Sequence, residues 1–264
     1  MRISKSLFVT ILVTICGLAA VGVFIFLDHR SFSSVSKDGV DDSITAVDSV
    51  TFEGSGDATI EKLPVNGLDP IPDLGRPSSI PPGFSAEAAR IMRESIMALI
   101  VDIKKNPRDA SLWLDLGIKR QEIQDYEGAK EAWEYVIQLS PNNATAFNNL
   151  GNLYHYYLKD YEKSETNFKR AIALSPKYVL LYQNLHDLYR YSYKQRTTAA
   201  ADILKQGIKE NPEAVDLYIS LAAYYKAQGN RSDAKTYYEQ ALSLAIAVGN
   251  TDLRMAIGEE LAEL

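Results

Sequence analysis

Beyond residue 108 the apolar positions recur in phrases. Four prolines close similar phrases, Lys105-Asn106-Pro107, Leu139-Ser140-Pro141, Leu174-Ser175-Pro176 and Glu210-Asn211-Pro212, separated by 34, 35 and 36 residues. Six residues after each proline stands an aromatic (Trp113, Phe147, Tyr182, Tyr218), and three further on a leucine (Leu116, Leu150, Leu185, Leu221). Gly117 and Gly151 follow two of these leucines directly. Later in each phrase a small residue (Ala129, Ser164, Ala200, Ala234) precedes by four a large apolar one (Trp133, Phe168, Leu204, Tyr238). Apolar residues at such spacings line one face of a helix, so each period predicts two helices. Glycine and alanine let the two approach closely. A pair of this kind keeps an apolar face that only the next pair can cover, which makes stability a property of neighbours. The proline is expected near the start of each first helix, where its missing N–H costs little.

Spacing and residue type recur together over residues 108–247, and they resemble the tetratricopeptide repeat in its order of aromatic, Leu, Gly and Tyr, then Ala, Phe, Ala and Pro. The resemblance implies an all-α fold, a right-handed α-solenoid of about four helix-turn-helix repeats over residues 108–249. Residues 85–107 read as an N-terminal capping helix with Ser85 as its N-cap. Residues 250–264 read as an amphipathic C-terminal cap, since an open solenoid end exposes core. The repeats are not uniform. Between Leu150 and Ser164 the second has one residue more than the first has between Leu116 and Ala129, and the third has two more. The third also carries His186 where Gly117 and Gly151 stand. Its turn, around Gln195, Arg196 and Thr197, should be looser, or its first helix longer.

The N-terminal part follows a different pattern. From Leu7 to Leu27 the chain reads LFVTILVTICGLAAVGVFIFL, without a charge. As a helix this run spans about 31 Å, against a hydrocarbon core of about 30 Å. A cleaved signal would have a shorter apolar stretch followed by small residues; Leu18-Ala19-Ala20 offers such a site, but the run continues past it. Ile15 beside Cys16 departs from a lipoprotein signal. An uncleaved transmembrane anchor at residues 7–27 is the favoured reading. Arg2 and Lys5 favour a cytoplasmic tail of residues 1–6, which sends the repeats out of the cytoplasm, to a periplasmic or extracellular location. Residues 28–84 carry serines, scattered acids and Pro64, Pro70, Pro72, Pro77, Pro81 and Pro82, with no sustained period. They are expected to form a disordered tether reaching on the order of 40 Å.

Composition narrows the function classes. The net charge of −6 argues against nucleic-acid binding, which calls for a basic stripe. The single cysteine, Cys16, precludes an internal disulfide or a cysteine-based metal site. Three histidines on separate elements, with no nucleophile or phosphate-binding loop beside them, carry no cofactor and no enzyme assignment. The pairing of His155 with Asp187 is the thin alternative. Asn143-Ala144-Thr145 and Asn230-Arg231-Ser232 match the glycosylation triplet or act as turn residues.

In the family that the repeats resemble, the first helix of each repeat lines a concave groove where ligand peptides lie. Carried over by position, the groove residues are Asn148, Asn152, His155 and Tyr156 from the second repeat. The third contributes Gln183, Asp187, Arg190 and Tyr191, and the fourth Asp216 and Lys226. Amides beside tyrosine faces suit an extended peptide. Asn152 and Asn184 also occupy positions used to clamp a terminal carboxylate, but Asn148, Asp216 and Ser220 stand where that clamp needs cations. Most of the 16 tyrosines fall at core positions, including Tyr154, Tyr189 and Tyr225. The expected function is a membrane-tethered scaffold or adaptor that binds a protein or peptide partner, in envelope assembly or secretion. The alternative is self-association of like chains, or a spacer.

Overall fold

The computed structural model describes residues 70–193 and 198–264. The expected anchor at residues 7–27, the tether up to residue 69 and the turn residues Gln195, Arg196 and Thr197 lie outside the described residues. Among the described residues are ten α-helices, and none is long and apolar enough to cross a membrane. They are α1 (Ala86–Lys105), α2 (Ala110–Glu122), α3 (Tyr126–Leu139), α4 (Ala144–Leu153), α5 (Tyr161–Leu174), α6 (Val179–Asp187), α7 (Ala200–Glu210), α8 (Val215–Ala227), α9 (Arg231–Ala247) and α10 (Thr251–Ala262). Helices α2/α3, α4/α5, α6/α7 and α8/α9 form four successive hairpins, with α1 packed on α2 and α10 on α9. Ser85 caps α1, its hydroxyl accepting from the Ala88 N–H at 3.1 Å.

The prolines do not start the first helices. Each follows the C-cap of the preceding helix (Asn106, Ser140, Ser175, Asn211), whose φ lies between −131° and −144° with ψ of 66° to 81°. Proline forces the residue before it out of the α region, so it ends the second helix of a pair. The six-residue spacing to the aromatic then has a direct cause. Trp113 Nε1, Tyr182 Oη and Tyr218 Oη donate to the carbonyls of Pro107, Pro176 and Pro212 at 2.9, 3.0 and 3.0 Å. Phe147 has no donor to offer Pro141. Tyr182→Phe removes one of two donors to the Pro176 carbonyl while keeping the ring, Asn211 Nδ2 remaining at 3.0 Å, and is expected to lower stability by about 0.5–1 kcal/mol. The mirror change Phe147→Tyr should not lower it. Urea midpoints of the two variants check this, and an unaffected Tyr182→Phe would show that the bond contributes nothing.

Close approach within hairpins depends on small residues. A Cβ on Gly117 would collide with the Trp133 indole, and one on Gly151 would stand 2.5 Å from Phe168 Cδ1. In the second hairpin Ser164 Oγ donates to the Gly151 carbonyl at 2.8 Å. The third hairpin reverses this arrangement, since His186 Nδ1 contacts the Ala200 carbonyl at 2.8 Å. His186 fits because Leu204 replaces the larger Trp133 and Phe168 of the earlier pairs.

The extra residue of the second repeat is taken up without disturbing its turn. Gln124 and Lys159 have φ of 62° and 58°, and each precedes an aspartate N-cap, Asp125 or Asp160. The added residue of the second repeat lies in a π-helical turn, Tyr154–Leu158, that continues α4. Helix α6 likewise continues into a π-helical turn, Leu188–Ser192, closed by the Tyr193 N–H on the Leu188 carbonyl at 2.7 Å. The first helix of the third repeat thus runs on to Ser192, and the other expected alternative, a looser turn, falls outside the described residues. Asn143 and Asn230 act as N-caps of α4 and α9, accepting from the N–H groups of Ala146 and Asp233.

The proline-rich segment before α1 differs from the expected tether. Leu74 and Ile80 pack on the first core, and Arg76 pairs with Asp125 at 3.3 Å and Glu131 at 2.5 Å. Two apolar side chains and one bidentate cation are enough to hold residues already stiffened by proline. The buried side chains form three clusters. One runs from Ile96 to Tyr154, a second from Phe168 to Tyr224 and a third from Ala222 to Ile257, with Phe147 packing against both of the first two.

Candidate functional site

The first helices α4, α6 and α8 lie side by side and are tied by polar side chains at matching heights. Asn184 Nδ2 donates to Asn148 Oδ1 at 2.9 Å, and Gln183 Nε2 donates to Ser220 Oγ at 3.4 Å. Further along, His155 Nε2 and Ser192 Oγ stand 2.8 Å apart and join the two π-helical turns. Beside these contacts Tyr156 of one helix lies near Asp187 and Tyr191 of the next. An inserted residue rotates everything beyond it by about a third of a helical turn. The π-helical turns therefore decide which side chains reach the surface.

The structure sorts the expected groove residues into three sets. Tyr156 and Tyr191 project into solvent, 46% and 62% exposed. Asn148, Asn152, Gln183, Asp187 and Arg190 are half-buried. His155 is 2% exposed and supports the face from beneath, its ring stacked on Tyr156 with centroids 4.0 Å apart. Lys226 is engaged elsewhere, holding Glu260 at 3.1 Å and Glu263 at 2.9 Å on the capping helix α10. Asp216 is exposed in the first turn of α8. Two contributors carried no signal in the sequence. Ser192 pairs with His155 only through the π-helical turn, and Tyr224 lies beneath the Arg190 guanidinium, 5.7 Å from its centre. Arg190 also covers the Tyr191 ring at 4.9 Å. Of the tyrosines expected in the core, Tyr154 and Tyr189 are buried and Tyr225 is half-buried.

The electrostatics of this face are uneven. Burial pushes the Asp187 carboxyl up to about 6, with Arg190 nearby acting in the opposite direction. Among the described residues Asp187 has neither an ion pair nor a hydrogen bond to its side chain. Burial, and secondarily Lys159, pushes the His155 imidazole down to about 4. Burial and the charge of Asp187 push the Tyr156 hydroxyl up to about 12. His155 and Asp187 share no hydrogen bond, so the acid–base pairing has no geometric support.

A carboxyl whose pKa is raised on folding stabilises the fold below its unfolded value, and that contribution is lost as pH rises through about 6. Asp187→Asn is therefore expected to be more stable than the parent by about 1–2 kcal/mol near pH ~7.5, the gap closing toward pH ~4. His155 acts in the opposite sense. Its depressed pKa supplies stability above about pH 6.5 that is lost as pH falls toward about 4. Comparing Asp187→Asn with the parent by urea unfolding at both pH values cancels the histidine, and a variant less stable at the higher pH would refute the prediction.

Among the described residues no group of His, Cys, Asp or Glu side chains is arranged to hold a metal ion. Residues 122–155 match the family model described as TPR repeat, and residues 144–178 and 215–248 match models described as tetratricopeptide repeat. No curated protein matches the chain. Among solved structures, the MamA protein aligns at 22% identity over 62% of this chain and 88% of that one, with a TM-score of 0.50. A second MamA crystal structure aligns at 23% identity over 62% and 90%, with a TM-score of 0.49. PilF of Pseudomonas aeruginosa aligns at 17% identity over 66% and 84%, with a TM-score of 0.48. At these identities the likeness concerns the fold.

Proposed function

We propose, for a chain that is a tetratricopeptide-repeat protein and hence a scaffold for protein–protein contact, that it binds an extended segment of a protein partner along α4, α6 and α8. The scaffold is held at a membrane by residues 7–27, with its repeats outside the cytoplasm, and it serves envelope assembly or secretion. The carrying observation is the pair of exposed tyrosines, Tyr156 and Tyr191, set one helix apart above half-buried amides. Aromatic rings offer apolar area at small entropic cost, and amides pair with a peptide backbone. Most of the binding energy at such a face resides in a few residues.

Photo-crosslinking of the full-length chain in its own membrane tests this reading. A crosslinker at position 156 or 191 should capture a discrete partner, whereas one at Glu239, exposed on α9, should not. Capture from position 239 alone, or from none, would overturn it. Self-association of like chains is the second reading, and a specific observation favours it. Ile91, Met97 and Val101 are exposed on one side of α1, while Ile246, Val248 and Met255 are exposed near the other end of the chain. Unlike patches at two ends suit a head-to-tail contact. Sedimentation that depends on concentration, and that Met97→Glu abolishes, would support it over the first.

A further inference from the structure

The first-helix face contains a charge that its own neighbours leave uncompensated. We propose that Asp187, near Tyr156 and Tyr191, is a subsite for a cationic side chain, Lys or Arg, of the bound partner segment. This inference rests on the peptide-binding reading above and adds the chemistry of the ligand at one position.

Placement comes first. Asn148–Asn184 below and His155–Ser192 above are both within hydrogen-bond distance, at 2.9 and 2.8 Å. The stretch between them therefore has a set register, and it holds Asp187, half-buried, near Tyr156. Tyr191 stands one turn beyond Asp187 on the same strip of helix. Tyr156 is close enough to Asp187 for the carboxylate charge to act on its hydroxyl.

The balance of charges comes next. The cation nearest in sequence, Arg190, spreads over the rings of Tyr191 and Tyr224 at 4.9 and 5.7 Å. It makes no ion pair with Asp187 among the described residues. A guanidinium sandwiched by two aromatic faces is already compensated. A half-buried carboxylate with no donor is not, and ionising it costs free energy that an arriving cation would recover. An ammonium or guanidinium at this point meets a carboxylate beside two exposed tyrosine side chains, each with one ring face already engaged, Tyr156 by His155 and Tyr191 by Arg190. An acidic side chain would meet Arg190 but also the repulsion of Asp187. The net charge of −6 steers cations rather than anions toward the chain.

The test selects a randomised peptide library on the full-length chain held in lipid nanodiscs. Peptides that compete with one another and lose binding to Tyr191→Ala are kept. Lys or Arg should be enriched at one position. Replacing that residue by Met should weaken binding about tenfold on the parent chain and less than about twofold on Asp187→Asn. Asp187→Glu should keep the preference, and matching helical circular dichroism shows that both variants are folded. Peptides that need Tyr191 but prefer Asp, Glu or no charge at any position overturn the subsite and leave the peptide-binding reading standing. Recovery of no Tyr191-dependent peptide overturns both.

Discussion

Asp125→Ala is expected to destabilise the repeat domain by about 3–5 kcal/mol. Arg120 is 2% exposed, and its Nη1 donates to Asp125 Oδ2 at 2.6 Å. Removing the carboxylate leaves a buried guanidinium with only a long contact, 3.4 Å, to the Arg76 carbonyl. The same residue is the N-cap of α3, accepting the Gly128 N–H at 3.0 Å, and it holds Arg76 of the segment before α1. Asp160 provides the control. It caps α5 in the same way, accepting from the Lys163 N–H at 3.1 Å, but Tyr154 occupies the position that Arg120 holds one repeat earlier. Asp160→Ala should therefore cost only about 1 kcal/mol, the ordinary value of a cap. Urea unfolding of the two variants measures the difference. Adding Arg120→Met to Asp125→Ala should restore much of the loss, because the penalty comes from the stranded charge. Equal effects of the two aspartates would mean that the buried pair contributes nothing beyond the cap.

Trp133→Ala is the second large effect, about 3–5 kcal/mol, and it should be confined to one end of the domain. The indole is fully buried against Gly117, and its Nε1 donates to the Leu114 carbonyl at 3.1 Å. It belongs to the cluster from Ile96 to Tyr154, whereas the next cluster begins at Phe168. Phe147 packs against both, and the two halves meet along a seam that runs through the α4/α5 hairpin, where Phe168 lies against Gly151. A cavity in the first cluster is expected to lower its melting without lowering that of the second as much. The chain offers a direct readout, since Trp113 and Trp133 are its two tryptophans. In Trp133→Ala the fluorescence of Trp113 alone reports the first cluster, while far-ultraviolet circular dichroism reports all the helices. The fluorescence midpoint should fall below the dichroism midpoint. Coincident midpoints would show that the stack unfolds as one unit and that the seam is stronger than its contacts suggest.

The repeat pattern made most of the hairpins legible, and the reasons are local. Trp113 and Tyr182 sit six residues after a proline because that distance brings a ring donor to the proline carbonyl. Gly117 and Gly151 sit where the facing helix delivers an indole or a phenyl ring. Residue type and spacing alone are enough to find such positions. The candidate face was legible only in part. Tyr156 and Tyr191, named by position, are both exposed. His155 was found in the same way but is buried, because the π-helical turn rotates it inward. Lys226 was placed in the groove, yet α10 returns across α8 with Glu260 and Glu263. Neither effect has a signature within a single repeat. One depends on where an inserted residue is absorbed, and the other on a helix that lies some 35 residues further on.

The sequence by itself determined the periodicity, the pairing of helices within each hairpin, the cap at Ser85, and the positions that had to stay small. These follow from the geometry of one helix against the next, which the order of residues encodes directly. Only the tertiary structure decided that residues before α1 pack on the first hairpin and that α4 and α6 each continue into a π-helical turn. It alone decided that Asp187, near Tyr156, has no donor among the described residues. Such outcomes depend on which distant side chain reaches a polar group first, and a charge or an amide has no preferred partner until the whole stack has set the distances.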